Sequence, residues 1–415
     1  MSTWSGFHRL DLAGRRDRLK DLAGLLDEEL AALVQTATVA QLEPLIENVV
    51  ATYVLPLGIA GHFVVDGESV AVPMVVEESS VVAAASHGAK LAAANGGFRT
   101  EIAPPITIGQ VELRDVADQN AAQAAAAAAA RGWVEQLNSS IPSMVTRGGG
   151  VRAIQARPIG DDRLVLHLHV DCRDAMGANL VNSLCERLGP LAAEALGARL
   201  GLRILSNLAD QRLATARCTI PAAALGGPDA VAAIVEANDF ALLDPYRAAT
   251  HNKGILNGID PVVVATGNDW RAIEAGAHAY AARDGAYRAL TRYRVNDEGD
   301  LEAELSLPLS LGTVGGVTRL HPTARAAMRL LGDPDSTRLA AIVASVGLAQ
   351  NVAALKALAG EGIQRGHMSL HARNLALAAG LAGDAAAKVA ERMVAEGNVS
   401  AGRARELAAQ AGQGA

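Results

Sequence analysis

Hydrophobic and polar positions alternate most cleanly at residues 163–171. Leu164, Leu166, Leu168 and Val170 fall on one face of an extended chain, and His167, His169 and Asp171 fall on the other. The pattern predicts a strand there, with the turn Gly160-Asp161-Asp162 before it and another strand at 151–158. Strands are also predicted at 106–114 and 199–205, and helices at 118–140 and 175–196. The order over 105–206 is β-α-β-β-α-β, the split βαβ or ferredoxin-like pattern, which can stand alone as an inserted domain. The alanine run 124–130 reads as plain helix, because alanine has the best helix propensity.

Upstream, residues 8–24 suit a surface helix or a partner-binding arm, and 25–33 and 39–50 look like further amphipathic helices. Two β-rich runs flank Asp66-Gly67, a strong hairpin signal. A helix over 80–95 ends at Asn95-Gly96-Gly97. After 207 the pattern is mixed α/β. Leu301–Leu309 alternates as a strand, 312–318 is a glycine-rich turn, and from Pro322 nearly everything is helical. Gly360-Glu361-Gly362 reads as a hinge. The predicted organisation is a mixed α+β and α/β fold: a large domain in two parts (1–104 and 207–362), a small domain (105–206) interrupting it, and a helical tail (363–415).

A length of 415 residues suggests two or three domains. Half the residues are hydrophobic and only 3% aromatic, so small side chains packed helix on helix should dominate the core. A net charge of -7 argues against bulk electrostatic binding of nucleic acid. Cys172, Cys185 and Cys218 are odd in number and form no CxxC. That excludes a disulfide framework and a thiolate zinc finger, and fits a reducing compartment. No cationic leader opens the chain, and no unbroken apolar run reaches the roughly 18–20 residues of a membrane helix. The expectation is a soluble, cytoplasmic protein without membrane or nucleic-acid partners.

Neither a GxGxxG fingerprint nor a P-loop is present. DAMGAN (174–179) sits where a strand ends and a helix begins, and its small residues would let a phosphate approach the helix N-terminus. Asp174 as an N-cap is the plainer explanation. His167, His169 and Asp171 are too spread along one strand to hold one ion, so no metal is predicted. Residues 244–278 crowd Arg247, His251, Asn252, Lys253, Asn257, Asp260 and Asp269 among Gly and Pro breaks, which suggests a site on loops. An ordinary charged loop before an amphipathic helix is the alternative. Of Glu77 and Glu78, one, if buried, would be suited to proton donation. His367 and His371 share a helical face late in the chain.

Several long blocks carry a resemblance. They are ENVVATYVLPLGIAG (47–61), VPMVVEESSVVAAAS (72–86), VDCRDAMGANLVN (170–182), RILSNLAD (203–210), the stretch 244–281, VGLAQN (346–351) and EGIQRGHMSLHARN (361–374). In order and in content they closely resemble class II hydroxymethylglutaryl-coenzyme A reductases, from about residue 45 onward. The resemblance implies a homodimer, often a trimer of dimers, with active sites at the dimer interface. It implies a large domain for coenzyme A and the acyl group, a small ferredoxin-like domain for the nicotinamide dinucleotide, and a C-terminal flap. The reaction implied interconverts 3-hydroxy-3-methylglutaryl-CoA and mevalonate plus CoA by two hydride transfers, through a hemithioacetal and an aldehyde.

By the same resemblance, Lys253 matches the cation that stabilises the carbonyl oxygen and Glu78 the acid/base. Asp269 matches a carboxylate between them, and His367 the proton donor to the CoA thiolate. Ser80, Arg247 and Asn257 match substrate-holding and orienting groups. Asp174, Met176, Gly177 and Asn179 match the dinucleotide-contacting loop. Ser79 stands where relatives have Pro. Ile141 stands where NAD-preferring relatives carry an acidic residue that repels a 2′-phosphate. Residues 372–374 lack the serine phosphorylated in animal relatives. The class implies NAD(H) and mevalonate breakdown, with NADP(H) and a biosynthetic role open. A silent acyl-CoA-binding relative is the alternative of a different kind.

Overall fold

The computed structural model describes residues 4–34, 37–360 and 363–412, with the backbone alone for 363–370, 411 and 412. Helix α1 (Leu12–Ala23) starts where the Asp11 side chain accepts the Gly14 N–H, and stops at Gly24. Helices α2 (Asp27–Val34) and α3 (Val39–Leu42) follow. The helix expected to reach Val50 stops at Leu42. Pro44 brings no N–H and would meet the carbonyl of Ala40, so a single 3-10 turn (Glu43–Leu45) takes over. Residues 49–56 have no regular structure.

Strands β1 (Leu57–Val65) and β2 (Glu68–Val75) form the expected hairpin. Asp66 and Gly67 both have positive φ, 51° and 84°, as a primed two-residue turn demands. Helix α4 (Val81–Ala93) packs across the hairpin, and β3 (Arg99–Ile102) completes the first part of the large unit.

The next segment runs β4 (Ile106–Arg114), α5 (Gln119–Ser139), α6 (Pro142–Thr146), β5 (Gly150–Ile159), β6 (Arg163–Asp171), α7 (Ala178–Leu196) and β7 (Arg199–Leu205). Its four strands form one antiparallel sheet in the order β5-β6-β4-β7. The leucine face of β6 packs with Trp133 and Leu137 of α5 and Val181, Leu184 and Leu188 of α7. The sequence pattern anticipates every element of this unit except the one-turn α6.

Strand β8 (Leu213–Ile220) then pairs directly with β3, so the β4–β7 unit is inserted between neighbouring strands of a second sheet. Helices α8 (Ala222–Leu225), α9 (Pro228–Leu243), α10 (Pro245–Ala265) and α11 (Trp270–Ala281) precede β9 (Thr291–Val295) and β10 (Leu301–Pro308). This sheet has the order β3-β8-β10-β9. Strand β9 was not predicted. Helix α12 (Gly316–Leu320) begins within the expected glycine-rich turn and runs past its end.

Helix α13 (Pro322–Leu330) leads into α14 (Ser336–Ala359). By length and composition α14 is apolar enough to cross a membrane, but it is buried on nearly every side as the centre of the large core. Two glycines allow its neighbours to approach. A Cβ on Gly88 of α4 would lie 2.0 Å from the Ala349 carbonyl oxygen, and one on Gly258 of α10 3.0 Å from that of Val346. The tail forms α15 (Ile363–Ala378), α16 (Gly383–Ala395) and α17 (Ala401–Gly412), with a small core of its own around Ala376, Met393 and Leu407. Of the predicted hinge, Glu361 and Gly362 lie outside the described residues.

Candidate active site

Residues 244–278 are two helices, not loops. The Asp244 carboxylate caps α10 by accepting the Arg247 N–H, and Pro245 supplies the fixed φ of the first turn. Gly254, Gly258 and Pro261, which read as breaks, lie inside α10. Helical spacing puts Lys253, Asn257 and Asp260 on one face. Two of the crowded polar residues are structural. Thr291 gives its hydroxyl hydrogen to Asn238 (2.7 Å), so His251 Nε2 donates to Thr291 (2.6 Å). Burial, then Arg247, pushes His251 down to about 3, so the ring is neutral. Asn252 accepts the Leu290 N–H and donates to the Arg288 carbonyl.

Lys253 faces outward. Its Nζ stands 3.1 Å from Glu78 Oε2 in the segment between β2 and α4. The two side chains are 62% and 41% exposed, so they meet at an open surface. Neither Glu77 nor Glu78 is buried, so both fit the plainer reading of a solvated strand end. Ser80 holds a positive φ of 74° at the N-cap of α4 without a capping bond. The Arg247 guanidinium makes no ion pair among the described residues, and burial lowers its proton affinity. Asn257 is half-buried one turn beyond Lys253. The Asp269 carboxylate caps α11 through the Ala272 N–H (3.2 Å) and lies 3.6 Å from Arg271. Among the described residues, no hydrogen bond or ion pair joins it to Lys253 or Glu78. His367 lies on α15, but its side chain falls outside the described residues.

A cavity of about 1240 Å3 opens beside Glu78 and Ser80. One face of α4 runs along it through Ala83, His87 and Lys90, and Arg15 and Arg16 of α1 face it across the gap. Sequence reasoning overlooked these basic groups. For His87 and Lys90 the signal was the spacing of Ser80, Ala83, His87 and Lys90 on a predicted helix. Burial, and after it the neighbouring Lys356 and Lys90, pushes His87 down.

Residues 12–372 match the family model described as hydroxymethylglutaryl-coenzyme A reductase. The chain belongs to that family. The 3-hydroxy-3-methylglutaryl-coenzyme A reductase of Archaeoglobus fulgidus is 45% identical over 406 residues, covering 97% of this chain and 93% of the relative. A probable reductase of Borreliella burgdorferi is 34% identical, covering 80% and 77%. The solved reductase of Streptococcus pneumoniae superimposes with a TM-score of 0.85 at 42% identity, over 97% and 98% of the two chains. Another structure from that organism, described as a class II enzyme bound to NADPH in open conformations, gives 0.84 at 43% identity, over 86% and 99%. The mixed α/β fold read from the sequence is the fold of these reductases, and the resemblance seen in the sequence blocks is a true family relationship.

In this reductase the segment expected to contact the dinucleotide leads into α7, whose N-cap is Gly177 (φ 104°). Asp174 is therefore not the N-cap of α7, and α14 has its own N-cap, Asp335. Asp174 Oδ1 accepts the Ser336 N–H (3.0 Å) at the start of α14. Met176 is half-buried and Asn179 exposed. The polar face of β6 scatters: His167 meets Gln110 (2.9 Å), and the buried Asp171 pairs with Arg152 (2.9 Å). Ile141 caps α6 and packs partly against the core of the small unit. Arg147 bonds Ser143, and Arg152 also donates to the Gly148 carbonyl.

Proposed function

We propose that this reductase interconverts 3-hydroxy-3-methylglutaryl-CoA and mevalonate plus CoA in two successive two-electron steps. The observation that carries the reading is the Lys253–Glu78 pair, solvent-facing, beside a basic-lined cavity. In each step the carbonyl oxygen gains negative charge, and Lys253 stabilises it. Glu78, one hydrogen bond away, moves the proton as the hemithioacetal collapses to aldehyde and CoA thiolate. Asp269 tunes the pair, His367 protonates the departing thiolate, and Ser80, Arg247 and Asn257 hold the acyl arm. Arg15, Arg16 and Lys90 suit the phosphates of coenzyme A, with His87 beside them.

A nicotinamide dinucleotide, when bound, supplies or takes the hydride. Residues 174–179 fit it. Gly177, left-handed and packed against Cys172 and Thr107, sets the start of α7, and α7 offers its N-terminal N–H groups, with Asp174, Met176 and Asn179 beside them. The domain reading follows: 105–206, a ferredoxin-like unit, takes the dinucleotide, 1–104 with 207–362 takes CoA and substrate, and 363–415 closes as a flap over a homodimer interface. The direct β3–β8 pairing supports an insertion of this kind.

NAD(H) and mevalonate breakdown are the first reading. NADP(H) and biosynthesis are the second, favoured by the apolar Ile141 and by the pneumococcal relative described with NADPH. Absorbance at 340 nm with mevalonate plus CoA tests both. Reduction of NAD alone supports the first, and comparable or faster reduction of NADP the second. No signal with either, in folded enzyme, refutes the reductase reading and leaves an acyl-CoA-binding protein.

A further inference from the structure

We propose that Arg212 is a positioning residue that sets the dinucleotide loop and holds it at a fixed distance from the segment carrying Asp269. The inference rests on the reading that residues 174–179 take the dinucleotide. Arg212 lies just before β8, and only 4% of it is exposed. A buried guanidinium normally has a carboxylate partner. Among the described residues this one has no ion pair. It donates instead to three backbone carbonyls: Ala175 (3.2 Å), Met176 (3.3 Å) and Leu311.

That choice of partners orients the loop. The Thr107 hydroxyl also donates to the Met176 carbonyl (3.2 Å). A trans peptide is planar with its C=O and N–H opposed. Holding the Met176 carbonyl toward Arg212 therefore turns the Gly177 N–H the other way, in company with the first N–H groups of α7. Those are the donors a pyrophosphate uses.

The third carbonyl extends the device. Residues 311–313 lie between the loop and the segment carrying Asn268 and Asp269. The Thr313 N–H donates to the Asp174 carbonyl (2.8 Å), and a Cβ on Gly312 would stand 2.6 Å from the Met176 nitrogen. On the other side, the Gly312 N–H donates to Asn268 (2.8 Å), the covalent neighbour of Asp269. Arg212 fastens both the loop and this spacer. Hydride transfer demands near-contact of two carbons, and a misplacement of about 1 Å costs about 10²-fold.

The test compares Arg212→Met, Arg212→Lys and Gly312→Ala in the full-length enzyme. It measures kcat, KM for each substrate, and the isotope effect with 4-deuterated dinucleotide. Arg212→Met should lower kcat/KM for the dinucleotide by about 10²-fold. The acyl-CoA KM should hold, and the isotope effect should rise as hydride transfer becomes limiting. Arg212→Lys keeps the charge but not the fork, and should recover part of the loss. Gly312→Ala leaves Arg212 in place, should raise the isotope effect by itself, and decides the matter if Arg212→Met does not fold. Wild-type dinucleotide parameters in Arg212→Lys and Gly312→Ala would overturn the proposal, as would parallel losses for both substrates. A wild type that turns over acyl-CoA while binding the dinucleotide away from 174–179, seen as Asn179→Ala and Gly177→Ala without effect on its KM, overturns the underlying loop assignment instead.

Discussion

Replacing Lys253 by Met should separate catalysis from stability. At 3.1 Å in water, the attraction between Lys253 and Glu78 is about 1.3 kcal/mol before screening. Both side chains are largely open, and fixing them costs rotamer entropy, so the net contribution to folding is about 0–1 kcal/mol. Removing a preorganised group that stabilises a developing oxyanion costs far more at the transition state, about 2.7–4 kcal/mol, or about 10²–10³ in kcat. Lys253→Met should therefore unfold within a degree or two of wild type while turnover collapses. Thermal denaturation followed by circular dichroism gives the first quantity, and the 340 nm assay under saturating substrate gives the second. A variant that loses stability in proportion to activity would make the pair a structural strut. A variant with near-normal kcat would remove Lys253 from the chemistry. Either result refutes the reasoning.

Three further outcomes are expected. Gly88→Ala forces a methyl to within 2.0 Å of the Ala349 carbonyl oxygen, so α4 and α14 must separate. It should cost about 1–3 kcal/mol despite alanine's better helix propensity, read as a lower denaturation midpoint. Tyr293→Phe leaves the buried Asn351 Oδ1 without its 2.6 Å donor and should cost about 1–3 kcal/mol. The Asp260 carboxyl on α10 is pushed up to about 8, first by burial and then by Glu274 of α11. The folded state thus holds a proton that the unfolded chain releases near pH 4, and this group's contribution to stability is lost as pH rises from there through about 8. Asp260→Asn should flatten that fall, and unchanged curves of stability against pH would disprove it.

Much of the fold is local and could be read in one dimension. The leucine alternation of 164–170 could only be a half-buried strand, and Asp66-Gly67 supplied the two positive φ values a tight hairpin needs. Where the cause of a residue lay elsewhere in the molecule, reading failed. Gly254, Gly258 and Pro261 looked like punctuation, although Gly258 is small because α14 passes against it. Strand β9, polar on its exposed face, is a strand because β10 pairs with it. His251 and Asn252 looked chemical but tie α10 to residues 288–291.

The candidate site divides in the same way. Its residue types were named from contiguous blocks, because family motifs are written locally. Their relations were not. Glu78 and Lys253 are 175 residues apart, and only the stacking of the β1–β2 hairpin, α4 and α10 makes them neighbours. Asp174 reads as the N-cap of the helix that follows it, yet its carboxylate accepts the first N–H of a helix that begins 162 residues later. Arg212 carried no signal at all, since an arginine spent on carbonyls is invisible until those carbonyls converge. By itself the sequence determined the periodicities, turns, caps and family motifs, because each depends on a few adjacent side chains. Only the tertiary structure decided which distant groups meet, because burial and hydrogen bonding between them exist only once the chain has packed.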